Sequence, residues 1–190
     1  ILSAAKTAKN AEVVVCPPFV YLPVLKTIGS QDVFCEPSGA YTGQVSSLML
    51  KNMRVKYVIV GHSERRKYCH ETNEMIFKKI KAALAQGLRP ILCIDRISQI
   101  PQSLPNLIIA YEPLFAIGTG KACSPKKAGK MRLSIKKVAG AKTKVLYGGS
   151  VNAQNASEYI KQAGFDGLLV GGASLKPKEF IDIIKNVCYR

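Results

Sequence analysis

Short apolar runs alternating with amphipathic stretches constrain this chain more than any other feature. Seven runs read as strands: residues 12–16, 30–34, 57–60, 90–94, 107–111, 144–147 and 167–170. Helical patterns lie between and after them, at 19–26, 46–51, 72–86, 125–138, 152–162 and 176–186. The 72–86 stretch carries Ile76, Ile80, Ala83 and Leu84 near helical spacing and is stopped by Gly87. Ser124-Pro125 reads as an N-cap with proline at the first helical position. Continuous apolar strands are covered on both faces, so their alternation with helices predicts an α/β fold around a parallel sheet. A length of 190 residues suffices for one sizeable core, and one domain over 1–190 is expected.

The strand ends carry the chemistry. The run at 107–111 is followed by one carboxylate, Glu112, then by Pro113 and an apolar loop to Lys121 containing Gly118 and Gly120. A carboxylate at a strand end before a glycine-bounded apolar loop is the pattern of a general base under a covering loop. Taken alone, it is equally a capped strand and a turn. Three other runs end comparably, in Val60-Gly61-His62-Ser63-Glu64-Arg65-Arg66, Tyr147-Gly148-Gly149-Ser150 and Val170-Gly171-Gly172-Ala173-Ser174. Paired glycines let backbone N–H groups approach a phosphate closely, although each pair alone is also an ordinary tight turn. Loops of this kind spread over several strand ends favour a barrel over a doubly wound open sheet, which gathers them at one switch point.

In this order, these four motifs resemble triosephosphate isomerase, and the resemblance runs over about residues 11–187. It implies a (β/α)8 barrel and interconversion of dihydroxyacetone phosphate and D-glyceraldehyde 3-phosphate through an enediol. It further implies no metal and no organic cofactor. Glu112 corresponds to the base and His62 to a neutral electrophile at a helix start, where the positive end disfavours the imidazolium. Gly118, Ser150, Gly171 and Gly172 correspond to the phosphate site, and Ser63 and Glu64 to supports beside the histidine and the base. Tyr147 and Ser150 resemble a latch for the loop, and Phe115 stands where many members have Trp. The loop 39–43, with Tyr41 and Thr42, resembles one that inserts into a second subunit, implying at least a homodimer. His70 matches no motif and is expected at the surface.

The resemblance has gaps. The family's first strand carries an Asn-x-Lys whose lysine neutralises substrate charge, and nothing before Ala11 resembles it. Residues 1–6 read as the tail of a helix, so the barrel is expected to lack its first strand, leaving two sheet edges. Between Ile94 and Leu107 only 12 residues join two strands, and Pro101 and Pro105 lie among them. A crossover helix with its loops needs at least about 10–12 residues, so a segment the family has is expected to be missing near 94–97. The joins at 25–29 and 138–142 are short in the same way. Residues left out of the sequence, or a reduced barrel, would each explain this. A catalytically impaired sugar-phosphate-binding relative is the alternative reading of function.

Formal charge is +16, from 28 Lys and Arg against 12 Asp and Glu, which raises polyanions as partners. The basic residues are scattered, no basic run interleaves with aromatics, and the pattern argues against nucleic acid. Six cysteines at wide spacing, with no C-x-x-C, read as free thiols in a reducing cytoplasm. Neither a membrane-length apolar run nor a signal peptide is present, so no membrane association is expected.

Overall fold

The computed structural model describes residues 10–102, 107–116 and 122–188. The chain divides into two compact units, one drawn from 14–93 and 103–108, the other from 1–13, 94–102 and 109–190. Among the described residues no helix is long and apolar enough to cross a membrane.

The first unit runs α1 (Leu22–Leu25), β1 (Gly29–Ser30), α2 (Ser47–Asn52), β2 (Tyr57–Val60), α3 (Ser63–Tyr68), α4 (Asn73–Ala85) and β3 (Arg89–Ile94), whose last residue, Ile94, belongs to the second unit. β1, β2 and β3 are parallel, with Gly29 opposite Tyr57 and Tyr57 opposite Arg89. β2 is buried along its whole length, as a β-branched run flanked by two strands should be. Ser46 caps α2 by accepting from Met49 N–H, and Thr72 caps α4 by accepting from Met75 N–H. α4 buries Ile76, Ile80 and Ala83 as its spacing predicts, while Leu84 is half-buried. Gly87 then turns the chain at φ 75°.

One polar residue interrupts that apolar face. Lys79 is buried, and its Nζ lies 2.7 Å and 2.8 Å from the Asp32 carboxylate oxygens and 2.5 Å from Glu71 Oε1. Arg65 completes the network, 2.6 Å from Glu71 Oε1 and 2.9 Å from Asp32 Oδ2. Two buried carboxylates are thus matched by two cations, the condition under which buried charge is tolerated.

The second unit contains a 3-10 turn (Ile97–Gln99), β4 (Ile108–Tyr111), α5 (Pro125–Ala139), β5 (Lys144–Tyr147), α6 (Ala156–Lys161), β6 (Gly167–Leu168) and α7 (Pro177–Cys188). β5 and β6 are parallel, with Leu146 opposite Gly167. Gly148 N–H donates to Tyr111 O at 2.8 Å, extending the β4–β5 neighbourhood one residue past the end of β5. Ser124 caps α5 and Pro125 is its first residue, as expected.

Several expected elements differ. Residues 12–16 belong to no strand. Val13 packs on Phe180, Ile184 and Cys188 of α7. In the other unit, residues 14–16 press on Gly29, where an added Cβ would lie 2.5 Å from Cys16 Sγ and 2.7 Å from Val14 Cγ1. This is side-on packing, not a ladder. The expected strand 30–34 stops at Ser30, whose hydroxyl donates to Asp32 O, and only a single bridge from Phe34 to Ser46 follows. The helix expected from 152 starts at Ala156, because Asn152 and Asn155 accept each other's backbone N–H groups at 2.9 Å and hold a turn. The strand expected at 167–170 is the two-residue β6, after which Leu169 N–H donates to Tyr147 O at 2.8 Å. In the short connection after Ile94, Gln99 Oε1 accepts from Asp95 and Arg96 N–H, and the 3-10 turn is the helical structure among its described residues.

Candidate functional site

The histidine motif is built on the turn between β2 and α3. Gly61 takes φ 68°, which favours glycine, and the chain then enters α3 with His62 as its N-cap. Arg66 braces this turn. Its Nε donates to Gly61 O at 2.8 Å, and its other nitrogens reach Asn73 Oδ1 at 2.7 Å and Cys93 O at 3.4 Å. His62 Nδ1 accepts from Glu64 N–H at 3.3 Å. An accepting Nδ1 carries no proton, so the neutral ring bears its proton on Nε2. Glu64 Oε2 lies 3.7 Å from Nδ1 on a mostly exposed side chain, and Ser63 is half-buried. His70 is exposed, as expected.

The glutamate motif is built at the end of β4. Glu112 is only 3% exposed, and its backbone N–H donates to Ile94 O at 2.8 Å. Gly148 makes its side chain possible, since a Cβ there would lie 3.0 Å from Glu112 Cγ. At Gly149 a Cβ would run into the Tyr147 ring. The first glycine pair is therefore required by packing around Glu112 and Tyr147. The second pair differs, because an added Cβ at Gly171 or Gly172 would meet nothing within 4 Å. Both residues are exposed, and Gly172 opens a 3-10 turn (Gly172–Leu175), leaving open space beside backbone N–H groups.

Two hydroxyl groups hold the ends of the loop that follows Glu112. Ser150 Oγ donates to Ala116 O. Tyr147 is fully buried, and its hydroxyl accepts from Cys123 N–H at 3.1 Å. Burial pushes the Tyr147 hydroxyl pKa far above its ordinary value and that of Tyr111 up to about 12, so both stay neutral near pH 7. Gly118 lies outside the described residues, as does the rest of 117–121.

Two contributors escaped sequence reasoning. Arg66 sits inside the histidine motif, but nothing local shows that it ties β2, α4 and β3 together. Tyr159 lies in the helical pattern at 152–162, where nothing in the sequence marks it. In the structure its ring stacks on Tyr147, centroids 3.7 Å apart, and its hydroxyl donates to Cys123 O at 2.5 Å. The two tyrosines thus hold both polar groups of one residue.

Tyr41 and Thr42 are exposed at the tip of their loop, between Gly39 at φ 136° and Gly43 at φ 84°, with Tyr41 packed on Phe34 at 4.8 Å. Among the described residues no three His, Cys, Asp or Glu side chains are grouped as they would be to hold a metal ion.

The triosephosphate isomerase family model matches residues 1–187. Among curated relatives, the triosephosphate isomerase of Dictyoglomus thermophilum is 40% identical over 223 aligned positions, covering 97% of this chain and 90% of the relative. That of Thermoanaerobacter sp. (strain X514) is 41% identical, covering 97% and 89%. That of Dehalococcoides mccartyi (strain CBDB1) is 43% identical, covering 93% and 83%. The 223 positions of the first alignment exceed the 190 residues here, so at least 33 positions of that relative have no counterpart in this chain. On the family match and on these identities, the chain belongs to the triosephosphate isomerase family, an enzyme family with the (β/α)-barrel fold.

Proposed function

We propose that this chain interconverts dihydroxyacetone phosphate and D-glyceraldehyde 3-phosphate by Glu112-mediated proton transfer through an enediol. The observation that carries this reading is the burial of Glu112 at a strand end, where Gly148 leaves room for its side chain. A proton on carbon beside a carbonyl is weakly acidic, and a carboxylate held in a fixed position away from bulk water can take it directly. Glu112 takes that proton and returns it to the neighbouring carbon. His62 donates from Nε2 to the oxygen that gains negative charge, which the Glu64 N–H bond to Nδ1 favours. The phosphate group binds Ser150 and the N–H groups of Gly171 and Gly172, with Gly118 as a further donor. Ser63 and Glu64 support His62, and Tyr147 and Ser150 hold the ends of the loop. No metal or organic cofactor enters these steps. The loop bearing Tyr41 and Thr42 serves a homodimer or higher homo-oligomer, and the enzyme works in the cytoplasm.

A coupled spectrophotometric isomerase assay tests this reading. Turnover that Glu112→Gln abolishes supports it. Binding of an inert triose-phosphate analogue with no turnover in the unaltered chain would instead favour a catalytically impaired relative.

A further inference from the structure

The nine Lys and Arg between Glu112 and Glu158 face no carboxylate in that stretch of sequence, since it contains neither Asp nor Glu. Six of them fall in α5, at Lys126, Lys127, Lys130, Arg132, Lys136 and Lys137. Two of the six serve the fold. Arg132 Nε donates to Ala163 O at 3.0 Å, and Lys136 pairs with Asp166 at 3.0 Å. Lys130 and Lys137 are exposed, and among the described residues neither has an ion-pair partner. Lys126, Lys130, Leu133 and Lys137 follow one another at four, three and four residues, so they form one stripe along the helix. Like charges at i,i+4 destabilise a helix. α4 avoids this cost by setting Glu74 against Lys78 at 3.1 Å, whereas α5 has no carboxylate at all.

The stripe is not uniformly charged. Leu133 is 54% exposed between the two lysines, and Leu133, Gly140 and Ala141 line an open groove together with Lys130, Lys136 and Lys137. We propose that this face of α5 docks an acidic segment of a partner protein, taking carboxylates on Lys130 and Lys137 and an apolar side chain on Leu133. The lysines are about 10 Å apart along the axis, at 1.5 Å per residue, which two turns of a partner helix span equally. A nucleic acid fits less well. Single strands are held on aromatic platforms and arginine. Here Arg132 is committed to Ala163, and the Phe115 ring already carries Lys127 at 5.0 Å. A phosphate backbone also leaves Leu133 without a complement.

The test is fluorescence anisotropy on the full chain with three labelled probes: a helical Glu/Leu peptide, an all-Glu peptide of equal length, and oligouridine. The Glu/Leu peptide is expected to bind at near-physiological salt and release at high salt. Lys130→Glu with Lys137→Glu should weaken it about tenfold. Leu133→Ser should weaken it severalfold while leaving all-Glu binding unchanged. Circular dichroism checks that the variants fold, and the milder Lys130→Gln with Lys137→Gln replaces a variant that does not. Absence of Glu/Leu binding, equal binding of the all-Glu peptide, or tighter oligouridine binding through the same lysines would each overturn the proposal.

Discussion

The two compact units differ in what anchors their most prominent buried polar groups. In the first, Asp32 and Glu71 are answered by the full charges of Lys79 and Arg65. In the second, hydroxyls answer backbone groups, with buried Tyr147 and Tyr159 holding Cys123 and half-buried Ser150 reaching Ala116. Breaking a charge pair leaves an uncompensated buried ion, so the first arrangement is rigid and costly to disturb. A hydroxyl-to-peptide bond costs far less to break and remake. The cheaper bonds stand around Glu112, at the ends of the loop whose position the proposed chemistry needs.

That contrast is broken most severely by Glu112→Gln. The change keeps shape but removes the base, and turnover should fall about 10²–10⁴-fold, with the unfolding midpoint nearly unmoved. Near-normal turnover would remove Glu112 from the mechanism.

Lys79→Met attacks the other side of the comparison. Asp32 and Glu71 would keep only Arg65, and chemical denaturation should show a loss of roughly 3–5 kcal/mol. If residues 1–190 form one domain, probes in the two units should report the same transition in that experiment. A loss below 1 kcal/mol would mean that solvent already satisfies the network.

Gly148→Ala sharpens the role given to the first glycine pair. A Cβ placed 3.0 Å from Glu112 Cγ should displace the carboxylate, and a misplacement near 1 Å can cost about 10²-fold in kcat. Gly171→Ala meets no neighbour, so its effect should appear in KM for the phosphate ester. Equal kcat losses in both variants would erase the distinction between the pairs.

The smallest effect is a pH dependence shared by the two units. Burial pushes the Cys16 thiol from 9.0, and the Tyr111 hydroxyl from 10.0, up to about 12. The unfolded chain loses these protons first, so folding holds its advantage below pH 9 and loses it progressively toward pH 12. Denaturation midpoints measured across that range should fall. Alkylation at pH 8.5 should modify the exposed Cys69 and spare Cys16.

Sequence alone determined what depends on neighbours along the chain. Ser124-Pro125, Thr72 and Gly87 mark helix ends through groups a few residues away, and the structure keeps each of them. The strand-end motifs were legible for the same reason, including the helix start that makes His62 an N-cap. Residues 12–16 read as a strand and form none, because an apolar run shows burial without showing whether a ladder partner stands beside it. Tertiary structure decided the rest, through contacts made across long stretches of chain. Lys79 lies on a core face because Asp32, 47 residues earlier, meets it there. Gly148 is a glycine site because Glu112 needs the space. Tyr159 joins the loop anchor because Cys123, 36 residues away, offers its carbonyl. Local rules specify which element forms, and only packing specifies which side chain that element brings to a distant partner.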